Sequence, residues 1–107
     1  MNRQSKLTSF ANKCYQTLKK VPKGKVTTYG TVAVLAGLPR GARLVGGILR
    51  FHGESLPWQR VINRHGYLSI NNLHYPKQLQ KALLEQEGVE VSEEFIVDLK
   101  RYGWVPK

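Results

Sequence analysis

At 107 residues, 41% hydrophobic and 22% charged, the chain fits one globular domain, residues 1–107, with a single modest core. One cysteine, Cys14, rules out an internal disulfide framework, and no apolar run reaches membrane-spanning length. The net charge of +10 excludes an acidic or neutral surface and points to a polyanionic partner.

In chain order, Leu7 to Lys20 predicts a helix, because Leu7, Phe10, Cys14 and Leu18 fall three or four apart on one stripe. Cys14 on that stripe is a packed thiol, with no His or helix N-terminus nearby to activate it. Val21-Pro22-Lys23-Gly24 ends the helix, and Lys25-Val26-Thr27 is extended. Thr27 or Thr28 caps a second helix, Tyr29 to Ala36, with Val32, Leu35 and Ala36 facing inward. Gly37-Leu38-Pro39 is a turn, and Pro39 suits the start of a third helix running to about Arg50. Two short helices joined by a tight glycine-containing turn form a helix-turn-helix pattern.

The third helix is unusual. Leu44, Val45, Ile48 and Leu49 form its inward face, and Arg43, Gly46, Gly47 and Arg50 recur on the other. Two adjacent glycines in a helix cost roughly 1 kcal/mol each relative to alanine. Close approach to another backbone is the usual compensation, either a sugar-phosphate wall or a neighbouring protein helix. Val61 to Ile70 predicts a β-hairpin turning at Asn63-Arg64-His65-Gly66, in the position of a wing. A last helix spans Pro76 to Gln86, with Leu79, Leu83 and Ala82 inward and Gly88 at its end. Val89-Glu90-Val91 and Phe95 to Leu99 read as closing strands or edges.

The charge is unevenly distributed. Residues 1 to 84 hold 14 Lys or Arg and one acid, Glu54, whereas residues 85 to 107 hold 3 basic residues and 6 acids. Such a bias sets a positive field over most of the surface and attracts phosphate backbones. A polar amphipathic start, with no signal-peptide pattern, makes the cytoplasm the expected home. His52, His65 and His74 are scattered without ligand spacing, so no metal and no cofactor is expected. Neither a phosphate loop nor a Ser-His-Asp set stands out.

Five blocks carry a family resemblance. They are Val21-Pro22-Lys23-Gly24-Lys25-Val26-Thr27-Thr28-Tyr29-Gly30, Gly37-Leu38-Pro39, Ala42-Arg43-Leu44-Val45-Gly46-Gly47, Pro57-Trp58-Gln59-Arg60-Val61, and Leu83-Leu84-Glu85-Gln86-Glu87-Gly88. In order and spacing they resemble the active-site domain of the O6-alkylguanine-DNA alkyltransferases, over about residues 7 to 88. The resemblance implies a mainly α fold with a small β-hairpin, a winged helix-turn-helix DNA-binding domain like the alkyltransferase C-terminal domain. That family carries Pro-Cys-His-Arg-Val where this chain has Trp58 and Gln59. An indole is no thiolate and an amide is no base, so both parts of the transfer chemistry are absent and no catalytic residue is assigned.

That combination looks like the alkyltransferase-like proteins, which bind alkylated DNA without repairing it. The resemblance implies that Tyr29 presses on the target phosphate and that Arg43 enters the base stack through the minor groove. Ala42, Gly46 and Gly47 match the small residues of that helix. Trp58, Gln59, Arg60, Val61 and Ser69 would line the lesion pocket, Arg60 as a brace, and Glu87 would give structural support. The loop Ser69 to Asn72 departs from the transferases' pattern, and the expected pocket is roomy enough for bulky adducts. The implied partners are duplex DNA containing O6-alkylguanine and nucleotide excision repair proteins. No dimer interface is evident, so the expected state is a monomer. A residual transferase, using Cys14, and a winged-helix transcription regulator are the competing readings.

Overall fold

A computed structural model describes residues 3–52, 56–68 and 76–106, with side chains described from residue 9 and not at 51 and 52. The elements run α1 (Arg3–Lys20), β1 (Thr27–Thr28), α2 (Tyr29–Leu35), α3 (Ala42–His52), a 3-10 turn (Trp58–Arg60), β2 (Val61–Ile62), α4 (Lys77–Gln86) and α5 (Leu99–Tyr102). Helix α1 starts four residues earlier than the stripe predicts, and of that stripe Phe10, Cys14 and Leu18 are buried. Leu7's side chain lies outside the described residues.

Of the two threonines, Thr28 is the cap of α2: its Oγ1 accepts from the Thr31 N–H at 3.1 Å. That bond sets Tyr29 as the first helical residue. Helix α2 packs on α1 and α3, giving the helix-turn-helix pair. Pro39 does not begin α3 as expected. It stays in the turn, where the Gly41 N–H bonds the Leu38 carbonyl at 2.8 Å, and α3 begins at Ala42.

The inward faces are rotated from those predicted. Val32 and Ala36 are buried, but so is Ala33, while Leu35 is exposed. On α3, Val45 and Leu49 are buried, Ile48 is half-buried and Leu44 is 44% exposed. On α4, Leu84 and Gln80 are fully buried, Leu83 is half-buried and Leu79 faces out. Gln80 is drawn in because its Nε2 donates to the carbonyls of Gln59 (3.1 Å) in the 3-10 turn and Val61 (3.0 Å) in β2. Two backbone acceptors thus set the phase of a helix whose leucines alone suggest another.

The 61–70 segment turns at residues 63–66 as predicted, with the Gly66 N–H on the Asn63 carbonyl. Its two arms meet only at the turn, where the Asn63 N–H bonds the Tyr67 carbonyl at 3.1 Å, and no strand ladder joins them among the described residues. Val61–Ile62 instead pairs in parallel with Thr27–Thr28, in the register Thr27↔Val61 and Thr28↔Ile62. The returning arm bridges Tyr67 to Ile96, and Leu68 N–H bonds the Phe95 carbonyl. The tail supplies a better edge than the first arm, since the Gly66 carbonyl also accepts from the Val97 N–H at 2.8 Å. Gly66, at φ +90, allows that approach: a Cβ there would lie 2.5 Å from the Val97 carbonyl oxygen. Residues 69 and 70 lie outside the described residues.

The period-two alternation of β2 divides the interior in two. Val61 joins a cluster beneath the helix-turn-helix with Cys14, Leu18, Val32, Val45 and Trp58. Ile62 joins a second cluster with Val26, Leu68, Leu84 and Val97. Of the expected closing strands, among the described residues Val89 to Val91 forms no bridge and Phe95 to Leu99 only the one at Ile96, and its end becomes α5, capped by Asp98 Oδ1 on the Lys100 N–H.

Candidate nucleic-acid interface

Helix α3 presents Arg43 and Arg50 to solvent, with Ala42, Gly46 and Gly47 half-buried between them. Among the described residues, a Cβ added to Gly47 would meet nothing within 4 Å, and one on Gly46 would meet only Tyr29 Cε1 at 3.9 Å. Packing against another protein helix therefore does not explain the pair, because each site has room for a methyl group. Two interior glycines that the fold does not require leave a shallow surface for an external backbone. None of the carboxylates of the described residues forms a salt bridge with Arg43. Tyr29 stands beside this surface, half-buried against the first core cluster.

The 3-10 turn is the next helical element in the chain. Trp58 is 6% exposed and is a member of the first core cluster, so its indole serves the fold whatever else it contacts. Gln59 and Arg60 are half-buried, and Val61 is fully buried in β2. Ser69 and the rest of the predicted pocket loop lie outside the described residues.

Glu87, just past α4, holds this turn in place. Its Oε2 accepts from Gln59 Nε2 at 2.7 Å, and its Oε1 accepts from Arg60 Nε at 2.9 Å and from the Gly24 N–H at 3.0 Å. Arg60 also donates from Nη1 to the Val21 carbonyl at 2.9 Å. One carboxylate thereby joins the loop after α1, the 3-10 turn and the end of α4. Burial pushes the Glu87 pKa up, but hydrogen bonds from Arg60, Gly24 and Gln59, with the charge of Arg60, outweigh it and leave it below the ordinary 4.5. Gly24, at φ +88, turns its N–H toward that carboxylate. The sequence reading missed Gly24 and Gln80 as parts of this frame. A glycine before a strand and a polar residue at a helical core position were the only local signals.

Cys14 is the sole thiol, completely buried, and burial pushes its pKa up to about 11. Among the described residues no group of His, Cys, Asp and Glu side chains could hold a metal ion, and no helix is long and apolar enough to cross a membrane.

Residues 9–89 match the family model of the 6-O-methylguanine DNA methyltransferase DNA binding domain. The chain belongs to this family. Among methyltransferase-domain relatives, a DNA base-flipping protein of Escherichia coli is 46% identical over 104 residues, 95% of this chain and 79% of the relative. Alkyltransferase-like protein 1 of Schizosaccharomyces pombe is 38% identical over 107 residues, 94% of this chain and 99% of its own. The crystal structure of S. pombe Atl1 in complex with damaged DNA containing O6-carboxymethylguanine superposes with a TM-score of 0.85 at 38% identity, covering 99% of this chain and 100% of that one. A methyltransferase family member with the transfer name, the Mycobacterium tuberculosis O6-methylguanine methyltransferase, superposes with a TM-score of 0.63 at 28% identity, over 87% of this chain and 54% of that one. The fold is thus the mainly helical one of the alkyltransferase-like proteins, with a small two-stranded sheet.

Proposed function

We propose that the chain is a non-catalytic DNA damage sensor, which binds O6-alkylguanine in duplex DNA through the minor groove, turns the lesion out and holds it. The observation that carries this reading is the α3 surface, where Gly46 and Gly47 lack, among the described residues, any neighbour that would demand them, between exposed Arg43 and Arg50. Its likeness to a chain crystallised on damaged DNA supports the same partner. Extrusion of a base costs a few kcal/mol, less where pairing is already damaged, so a flipping protein selects lesions partly through that cost. Arg43 fills the vacated place in the stack, Tyr29 presses on the neighbouring phosphate, and the pocket beside Trp58 and Gln59 receives the base. Arg60 and Glu87 act indirectly, by fixing the turn that carries both.

Transfer chemistry has no acceptor in this reading. Trp58 and Gln59 occupy the positions of the family's cysteine and histidine, and the one thiol, Cys14, is sealed in the core with a raised pKa. The sensor function implies a monomer in the cytoplasm that leaves the lesion for nucleotide excision repair. The test is a paired titration of one oligonucleotide duplex, with guanine or O6-methylguanine at a single position, at fixed salt. Preferential binding of the modified duplex, with an unchanged intact protein mass, is the expected result. Equal affinities would favour a sequence-reading regulator, and a gain of one methyl group would restore the transferase.

The glycines offer a sharper check. Gly47→Ala meets no steric obstacle within the chain and should stabilise the fold by about 0.5–1 kcal/mol in thermal melts. Duplex binding should nonetheless weaken, since the methyl group stands where the nucleic-acid backbone is to lie. A variant that both melts higher and binds DNA as before would remove α3 from the interface. O6-benzylguanine should bind at least as well as O6-methylguanine in the same titration; loss of binding with the larger group would argue for a tight pocket.

A further inference from the structure

A second concave surface lies where the end of α1 meets the C-terminal tail. It is a groove of about 660 Å³ with mainly apolar walls, among them Leu35, Trp104, Val105 and Pro106, and with Lys20 and Lys25 at its lining. The tail is docked firmly there, because the Val26 N–H bonds the Tyr102 carbonyl at 2.9 Å and the Trp104 N–H bonds the Val26 carbonyl at 2.7 Å. Val105 is nevertheless 79% exposed, and Leu35 is exposed on the outer side of α2. Exposed Lys19 and Lys23 add further positive charge in the same stretch of chain. A floor of valine, proline, leucine and indole is poorly suited to a sugar-phosphate backbone, which is bound by donors and charge. It suits an apolar side chain, with the lysines meeting flanking carboxylates.

We propose that this groove docks a protein segment carrying an aromatic or aliphatic residue flanked by Asp or Glu, while α3 holds DNA. The proposal rests on the sensor reading only in assigning DNA to α3. A sensor that leaves a lesion unrepaired needs a contact for another protein that its DNA does not cover, and this surface supplies one. The charge of the chain favours an acidic partner over a second copy of itself, since two groove faces would bring lysines together.

The experiment is selection of a displayed random dodecapeptide library on the full chain, in the presence of saturating undamaged duplex. The expected consensus is acidic with a central apolar or aromatic residue. Binding of the selected peptides should fall at least about tenfold with Val105→Glu, and similarly with Lys20→Glu. Both positions are exposed, so neither variant threatens the fold, and duplex affinity should hold within about threefold, because neither lies on α3 and each alters only the long-range field, by one charge for Val105→Glu and two for Lys20→Glu. Peptides without acids, peptides indifferent to Val105→Glu, or an empty selection would each overturn the proposal. So would displacement of the peptides by duplex, which would make the groove part of the nucleic-acid face. Failure of the sensor reading would appear separately, as equal binding of modified and unmodified duplexes by the unaltered chain.

Discussion

Arg43→Ala will lower affinity for a duplex containing O6-methylguanine by about thirtyfold, which corresponds to about 2 kcal/mol of the extrusion cost left uncompensated. Affinity for the undamaged duplex will fall only about twofold to threefold, because there the side chain contributes one screened charge. The difference follows from position. Arg43 is exposed at the second residue of α3, among residues small enough for the helix to lie close to a duplex. Neutralising Lys19 and Lys23 on the exposed end of α1 and the following loop should instead weaken both duplexes by the same factor. Competition binding at one salt concentration, with both duplexes and all variants, reads the two effects. Equal losses for Arg43→Ala on the two duplexes would reduce that arginine to a phosphate contact.

Glu87→Ala will destabilise the fold by about 3 kcal/mol, as expected for removing one member of a largely buried ion pair. The melting temperature should drop by roughly 15 °C for a domain of this size. The Glu87 side chain is 6% exposed and that of Arg60 17%, so water replaces little of what the guanidinium loses. The Gly24 N–H and the Gln59 amide lose their acceptor at the same time. The pH dependence has a definite sign. A carboxyl whose folded pKa lies below 4.5 binds protons more weakly in the folded chain than in the unfolded one. Its contribution is therefore present above about pH 4.5 and is lost as pH falls through the depressed folded value. Thermal melts of the unaltered chain and Glu87→Gln should differ most near neutrality and converge in acid. A constant difference down to pH 3 would show that the carboxylate's charge is not what stabilises the turn. Restoring cysteine by Trp58→Cys should give no efficient transferase, because Gln59 still supplies no base, and should destabilise a core that now holds an indole.

Much of the helix-turn-helix was legible because its signals are local. Thr28 sits one residue before α2, and an apolar stripe with a glycine turn separates α2 from α3. Helix phase was less legible. Leu79 and Gln80 differ by one position, and periodicity favours the leucine, but the buried carbonyls of Gln59 and Val61 take the Gln80 amide as donor. The predicted hairpin kept its turn and one cross-arm bond but formed no ladder, for a related reason. Each arm of the 61–70 segment found a partner distant in sequence, Thr27–Thr28 for one and Phe95 to Val97 for the other, and no local rule announces such pairings.

By itself the sequence determined the lopsided charge, the glycine pair flanked by arginines, and the absence of a thiol and an imidazole at positions 58 and 59, since all are properties of composition and order. Only the tertiary structure decided that, among the described residues, neither glycine has a neighbour too close for a methyl group. It also decided that Trp58 is a core member, and that Glu87 joins Gly24, Gln59 and Arg60 across as many as 63 positions. The apolar groove of the tail was likewise settled by folding. The physical reason is that charge and side-chain chemistry belong to each residue alone. Burial and long-range hydrogen bonding belong to pairs of segments, and those exist only once the chain has closed on itself.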